Sequence, residues 1–519
     1  MPLLQQEKNR TVPTSRTRGT GDESDEDQER QHEKTNNSPG PSGSDSGSSV
    51  SPQSIAVKEP APFNKEAEYE PYGTVKPTQG TASKGDGDAR VPIRGEDDDD
   101  GREDGGAKGR GKGILRAGGL VSSAVNLAST ALGAGVLGIP WSMARSGILI
   151  SILFTIFCLG GAVYSIWVLL RLVDKVGVPS YEGLAMKLYG RWGKLVTSLS
   201  LFLQTFVSTI LYIKVVGSIL VPIHEEMVKN SDFPEGEWGI RLFQFIIWVG
   251  LMMPLTLLKT INALRYPSLI GVSSIFILIT AVFIHLIKYR SSAQVDENAI
   301  VATTPSWDWI QSLNNIKFAF GAQPTAFPVY AELRPHNLGY MTEATFVGMI
   351  GCAIVYLVTG LLGLLTFGAG IPDNLLNAFI DPMSEWYLVV AYICFCFTIV
   401  VSFPIMMMPS RDAVIHWLFG YKLVGDCPTW KRILLSLLLA TSSFIIGIFV
   451  PSLNLLFGIL GGVCANLTSF ILPAAFALKV GWKREDVGII HVIGVWGLLI
   501  AGVVLGPLGT AVSIYLEVR

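Results

Sequence analysis

The chain is short of charge, short of cysteine, and has no apolar run near its start. Asp, Glu, Lys and Arg make up 16% of its 519 residues, where a soluble protein carries roughly 25%. The deficit is uneven. Residues 1–113 hold 16 basic and 22 acidic side chains, net −6, whereas the other 406 residues hold 24 and 20, net +4. The first segment also lacks Trp and has one Phe (Phe63) and two Tyr (Tyr69, Tyr72). So little apolar surface cannot offset the entropy of ordering a backbone. A disordered cytoplasmic tail is expected over 1–113. No signal peptide is expected either, because no apolar run precedes residue 114. The composition excludes a nucleic-acid-binding, secreted or ordinary cytosolic protein. Residues 114–519 read as a polytopic membrane domain.

Catalytic signatures are missing too. There is no GxxxxGK[ST] phosphate loop, so ATP-driven transport is unsupported, and no HExxH or Ser/His/Asp set occurs in the apolar segments. An enzyme is not expected. The six Cys lie in apolar segments or, for Cys427, in a loop assigned to the reducing side, so disulfides are not expected. Cys394 and Cys396 are separated by one residue, which is not zinc-ligand spacing. No metal and no cofactor are expected.

What is present is a series of apolar runs. A spanning helix needs about 20 such residues. Eleven candidates occur: 117–143, 147–170, 195–221, 240–258, 267–288, 310–332, 343–368, 384–408, 433–450, 453–479 and 488–514. Backbone groups in lipid must be bonded within the segment, so the expected fold is an all-α integral membrane protein. If the N-terminus is cytoplasmic, the inner loops carry fifteen Lys and Arg and the outer side six. That asymmetry follows the positive-inside rule. It puts the N-terminus in the cytoplasm and, after an odd number of spans, the C-terminus outside or in a lumen.

Two spans are interrupted. The first contains Gly133, Ala134, Gly135, Gly138 and Pro140, and the sixth runs Lys317-Phe318-Ala319-Phe320-Gly321-Ala322-Gln323-Pro324. Each Gly costs a helix about 1 kcal/mol relative to Ala. A broken helix frees amides and carbonyls, which lipid tolerates only where they line a cavity or bind something. Freed amides at the positive end of a half-helix suit a carboxylate, and freed carbonyls suit a cation. The breaks are five spans apart, as expected of two inverted repeats around a central site. Repeat one would cover about 117–288 and repeat two about 310–479, with 488–514 as an extra helix.

Three stretches resemble the amino acid/auxin permease family of the APC superfamily. They are Val125-Asn126-Leu127 with Gly133 to Pro140, Phe318-Ala319-Phe320 with Phe327 to Leu333, and Ser402-Phe403-Pro404 with Pro409-Ser410-Arg411. The polar tail joined to this core resembles the trypanosomatid protozoan amino acid permeases most. The resemblance spans about 114–514. It implies eleven helices, the leucine-transporter (LeuT) five-plus-five inverted fold, and secondary active transport of amino acids by alternating access. It also implies that the amides of Gly133, Ala134 and Gly135 hold the substrate carboxylate, and that Phe318, Ala319, Phe320 and Gly321 contact the amino group and side chain. A coupling site would use carbonyls near Ser129 and Leu132 with the hydroxyls of Thr398 or Ser402. Ser129 stands where sodium-coupled neutral amino acid transporters carry a second Asn, which favours H+ over Na+. Neither break has an acidic residue, which favours neutral amino acids. The plasma membrane is the expected location, with a lysosomal or vacuolar membrane as the alternative. A transporter-like amino acid sensor signalling through its tail is the competing reading.

Other residues carry narrower expectations. Lys317 pairs with a carboxylate, helps gate the pore, or faces an aqueous vestibule; Glu332 could form an inner gate with Arg411 or Arg334. Lys214 is expected to snorkel to the lipid interface. Gln204 and Thr209 face the pathway or make packing hydrogen bonds. Gly118, near the start of the first span, is expected to tolerate Val, unlike Gly135. Ser24 before Asp25, and Ser51 before Pro52, have the surroundings of phosphosites for kinases; the other reading of the tail is a solvated extension.

Overall fold

A computed structural model describes residues 118–178, 180–230, 234–257, 265–289, 306–334, 336–418, 427–481 and 488–518. The polar tail, with Ser24 and Ser51, lies outside the described residues.

The described chain is helical. The first span is a bent pair, α1 (Leu120–Ala131) and α2 (Ile139–Ser146), joined through a 3-10 turn at Ala134–Gly138. The bend is 52°. α3 (Ile148–Val176) follows, then α4 (Tyr181–Asn230). α5 (Gly236–Ile247) continues through a π turn into α6 (Met253–Thr256), and α7 is Arg265–Tyr289. A second interrupted pair is α8 (Trp307–Ala319) and α9 (Gln323–Glu332). After it come α10 (Leu338–Phe367), α11 (Trp386–Leu418) and α12 (Thr429–Phe449). The next helix is α13 (Leu453–Ile459), two π segments and α14 (Leu472–Val480), and α15 (Ile489–Val518) is last. Among the described residues, nine helices are long and apolar enough to cross a membrane, and the bent pair would make a tenth.

The α8–α9 pair falls short of that apolarity because its polar residues work inside the bundle. Gln311 donates to the Asn454 carbonyl at 2.6 Å and to the Asn315 side chain at 3.1 Å. Asn315 donates to Ser142 and to Asn454, each at 3.2 Å. Asn314 donates to Ser513 at 3.2 Å. One buried network thus ties α8 to α2, α13 and α15, where hydrogen bonds take the place of a hydrophobic driving force between helices.

The third span begins earlier than its apolar run. α4 starts at Tyr181 and bends at Gly190, whose φ of 68° suits glycine. The added turns are held by tyrosines: Tyr181 donates to the Thr468 carbonyl at 2.6 Å and Tyr189 to the Ala475 carbonyl at 2.8 Å. Their partners lie in the second π segment, Leu467–Ile471, and in α14.

Helix packing sets the two broken spans against each other. α1 packs on α10, α7 and α9, while α2 packs on α10 and α8. The first half of one pair therefore meets the second half of the other, so the two pairs run antiparallel. α11 packs on α4 and α7.

Candidate functional site

The site is where the two breaks touch. α1 ends because glycines follow it, and the chain turns at Gly133 with φ −70° and ψ −138°, values outside the helix, before re-entering a 3-10 turn. Residues 134–138 are all buried. The opening amides of any helix have no partner within it, and among the described residues no backbone bond outside the helices is donated by Gly133, Ala134 or Gly135. α8 ends at Ala319 in the same way, and α9 resumes at Gln323 with Pro324 in its first turn, where a missing N–H costs nothing.

Gly135 lies against Ala319. A Cβ built on Gly135 would stand 3.1 Å from the Ala319 Cα, 3.2 Å from its Cβ and 3.6 Å from the Phe318 ring. Gly135 thus forms the contact between the breaks. Gly133 is half-buried, and its Cβ would meet the Tyr212 hydroxyl at 3.2 Å. A Cβ built on Gly138 would stand 2.6 Å from the Phe457 ring, too close for any side chain.

The α8–α9 break is held from several sides. Phe320 is buried and meets Tyr356 edge-on, with ring centroids 5.3 Å apart. Phe318 is half-buried and tilts against Phe457 at 5.6 Å. Gln204 donates to the Gly321 carbonyl at 3.3 Å and accepts from the Thr468 hydroxyl at 2.8 Å. It therefore links the break to the penultimate span, whereas Thr209 only donates to the Phe206 carbonyl of its own helix. Tyr356, from the middle of α10, places its hydroxyl 2.6 Å from the Ala131 carbonyl and 2.7 Å from that of Ala319. Tyr356 and Tyr212 escaped the sequence reading. The available signal was a lone Tyr in an apolar run, whose hydroxyl needs a partner when buried.

The residues expected to hold a coupling ion are not joined by hydrogen bonds among the described residues. Ser129 donates to the Asn126 carbonyl at 2.9 Å. Thr398 donates to the Cys394 carbonyl at 3.0 Å, and its methyl faces Gly271 of α7. Leu132 is buried beside the break, and Ser402 is half-buried.

The gating expectations need correction. Arg411 is buried and pairs with its neighbour Asp412 at 2.9 Å, while Glu332 is exposed, so the pair with Glu332 is not formed. Adjacent side chains need no long reach to meet, and they share the desolvation that burial imposes. Lys317 is 3% exposed, so it faces no open vestibule in this conformation, and its amino group has no hydrogen-bond partner among the described residues. Gly118 is no inert position: its φ is +70°, its carbonyl accepts from the Arg334 amide at 2.8 Å, and a Cβ would strike the Glu332 carbonyl.

A cavity of about 520 Å³ opens at the end of the bundle that carries the loop after α10. Lys214, Arg241, Gln244, Asp373, Asn377 and Asp381 are among its lining residues, so Lys214 faces a polar cavity. The turn Leu375–Ala378 touches Ala134–Gly138 and also gives Leu376 and Asn377 to the cavity wall. Asp373 fastens this loop by accepting from the Leu453 and Asn454 amides at 2.8 and 3.3 Å.

The model of the family described as transmembrane amino acid transporter protein matches residues 116–514. Sodium-coupled neutral amino acid symporter 2 of Danio rerio is 26% identical over 408 residues, covering 73% of this chain and 79% of that protein. Among solved structures, MhsT in complex with L-phenylalanine aligns over 79% of this chain and 99% of its own, with 13% identity and a TM-score of 0.49. A nucleobase-cation-symport-1 family transporter in a closed conformation with bromovinylhydantoin bound aligns over 78% and 91%, with 11% identity and a TM-score of 0.48. Because the family model takes in both breaks and most of the chain, this multi-pass membrane protein belongs to the transmembrane amino acid transporter family.

Proposed function

We propose that the chain is a proton-coupled amino acid transporter that works by alternating access. Its eleven spans form two inverted five-helix repeats and one extra helix, with the N-terminus in the cytoplasm and the plasma membrane as its location. Within the family we group it with the trypanosomatid-type permeases, on the strength of the long polar tail before the core. The observation that carries the reading is the meeting of the two breaks, with Gly135 against Ala319 and both broken spans antiparallel. That is the arrangement expected where a small zwitterion is held at the interface of two repeats.

The amides of Gly133, Ala134 and Gly135 bind the carboxylate. Phe318, Ala319, Phe320 and Gly321 contact the amino group and side chain. A neutral side chain is favoured because neither break carries an acid, and the Danio rerio relative is named for neutral amino acids. That relative is also named sodium-coupled. Protons are favoured here because Ser129 supplies a hydroxyl rather than an amide oxygen. Lys317 adds a protonatable group beside the sixth-span break. The test is uptake of labelled neutral amino acids at fixed membrane potential, with sodium replaced by choline. Uptake is expected to persist and to follow the imposed pH gradient; loss of most uptake on the replacement would overturn proton coupling.

A further inference from the structure

We propose that the Tyr356 hydroxyl fills, in place of a bound cation, the point where the two broken helices end. The proposal rests on the transport reading above and deepens it, because it concerns which ion the breaks can hold.

α1 ends at Ala131 and α8 at Ala319. The last carbonyls of a helix have no partner within it, and each helix end carries partial negative charge. Neither the Ala131 nor the Ala319 carbonyl accepts a backbone N–H bond outside the helices among the described residues. Both point at one atom. The Tyr356 hydroxyl oxygen lies 2.6 Å from the first and 2.7 Å from the second, distances of strong O–H···O bonds. A phenol has one proton and a carbonyl only accepts. At any moment, therefore, one contact is a hydrogen bond and the other brings two oxygens together with no proton between them.

The surroundings do not relieve this. Tyr356 is 0% exposed, Ala319 1% and Ala131 5%, so water does not supply a second donor from bulk. Phe320, also buried, packs against the Tyr356 ring in a T-shaped contact. Cys352, one turn earlier on α10, directs its thiol at the Ala128 carbonyl at 3.8 Å instead. The result is a cluster of three oxygens at two negative helix ends, sharing one proton. Carbonyls at half-helix ends are the ligands that replace the hydration shell of a small monovalent cation. The phenol occupies that position and contributes a partial positive charge without a mobile ion. Removing only its oxygen would leave a hydroxyl-sized space lined by two carbonyls, open to Na+ or Li+.

The experiment uses the full chain, purified, with thermal unfolding followed in sodium, lithium or choline chloride at equal ionic strength. A cation that binds only the folded protein raises its melting temperature. Wild type should melt at the same temperature in all three salts. Tyr356→Phe should melt lower than wild type in choline and rise by at least about 2 °C in sodium or lithium. Tyr356→Ser, which keeps a hydroxyl but withdraws it, should show the same salt response. Variants that melt at one temperature in every salt would make Tyr356 a structural tie only and overturn the proposal, as would failure to recover either variant in any salt. A sodium response already present in the wild type would contradict the proton reading instead. The Tyr356 proposal is then judged on the extra response of the variants, and its absence defeats it.

Discussion

Replacing Gly135 by Ala adds one methyl at the contact between the breaks. Carbon atoms sit most favourably about 3.5–4.0 Å apart, and the new carbon would lie 3.1 Å from the Ala319 Cα and 3.2 Å from its Cβ. One of these is backbone, and Tyr356 bonds the carbonyl of the same residue at 2.7 Å. The methyl cannot be absorbed by a side-chain rotation, so the breaks must separate by several tenths of an ångström. Overpacking of this kind costs about 1–3 kcal/mol. Ala also restricts the unfolded chain, which returns about 0.4–1 kcal/mol. A net loss of about 1–2 kcal/mol of stability is expected, and substrate bound where the breaks meet should bind more weakly because the breaks have separated. Gly351 of α10 has nothing within 4 Å of a built Cβ and serves as the control. Equilibrium binding of labelled amino acid and thermal unfolding should both be measured on Gly135→Ala and Gly351→Ala. Unchanged affinity in Gly135→Ala, or equal losses in both variants, would refute this reasoning.

Other outcomes follow from the same geometry. A chain beginning at residue 114 should keep substrate binding and transport, because the tail contributes none of the helices described; a truncation that reaches the membrane but cannot bind would contradict this. Asp373→Ala should destabilise the loop on α13 by about 1 kcal/mol, the usual worth of a cap, read as a lower melting temperature, since two amides lose their acceptor. Glu385 accepts from Lys288 at 2.5 Å and from Tyr289 at 2.6 Å, and these bonds hold its carboxyl below the ordinary 4.5. The stability this brings is present above pH 4.5 and lost as pH falls through the lowered value. The melting difference between wild type and Glu385→Gln should therefore vanish in acid; a difference that persists there would exclude the linkage.

Apolar run length made most spans legible, since a lipid-facing helix must be apolar along about 20 residues. It worked less well for α8, where Gln311, Asn314 and Asn315 spend their polarity on neighbouring helices. The breaks were legible because glycine and proline act through the local backbone. Pairing was not. Tyr356 meets Ala131 across 225 positions, a relation that no local spacing encodes. Arg411 was assigned a distant acid when its neighbour Asp412 already met it. Gly118 looked like an ordinary early helix residue, yet it precedes α1, has positive φ and supports the chain after α9.

The paired breaks are expected to carry an amino acid through the membrane rather than merely sense it. Counterflow tests it most directly: proteoliposomes holding the full chain are loaded with unlabelled neutral amino acids and diluted into trace label without any ion gradient. Transient accumulation of label is expected, abolished by Gly135→Val and retained by Gly351→Val. Saturable binding without accumulation in the wild type would contradict it and identify a sensor.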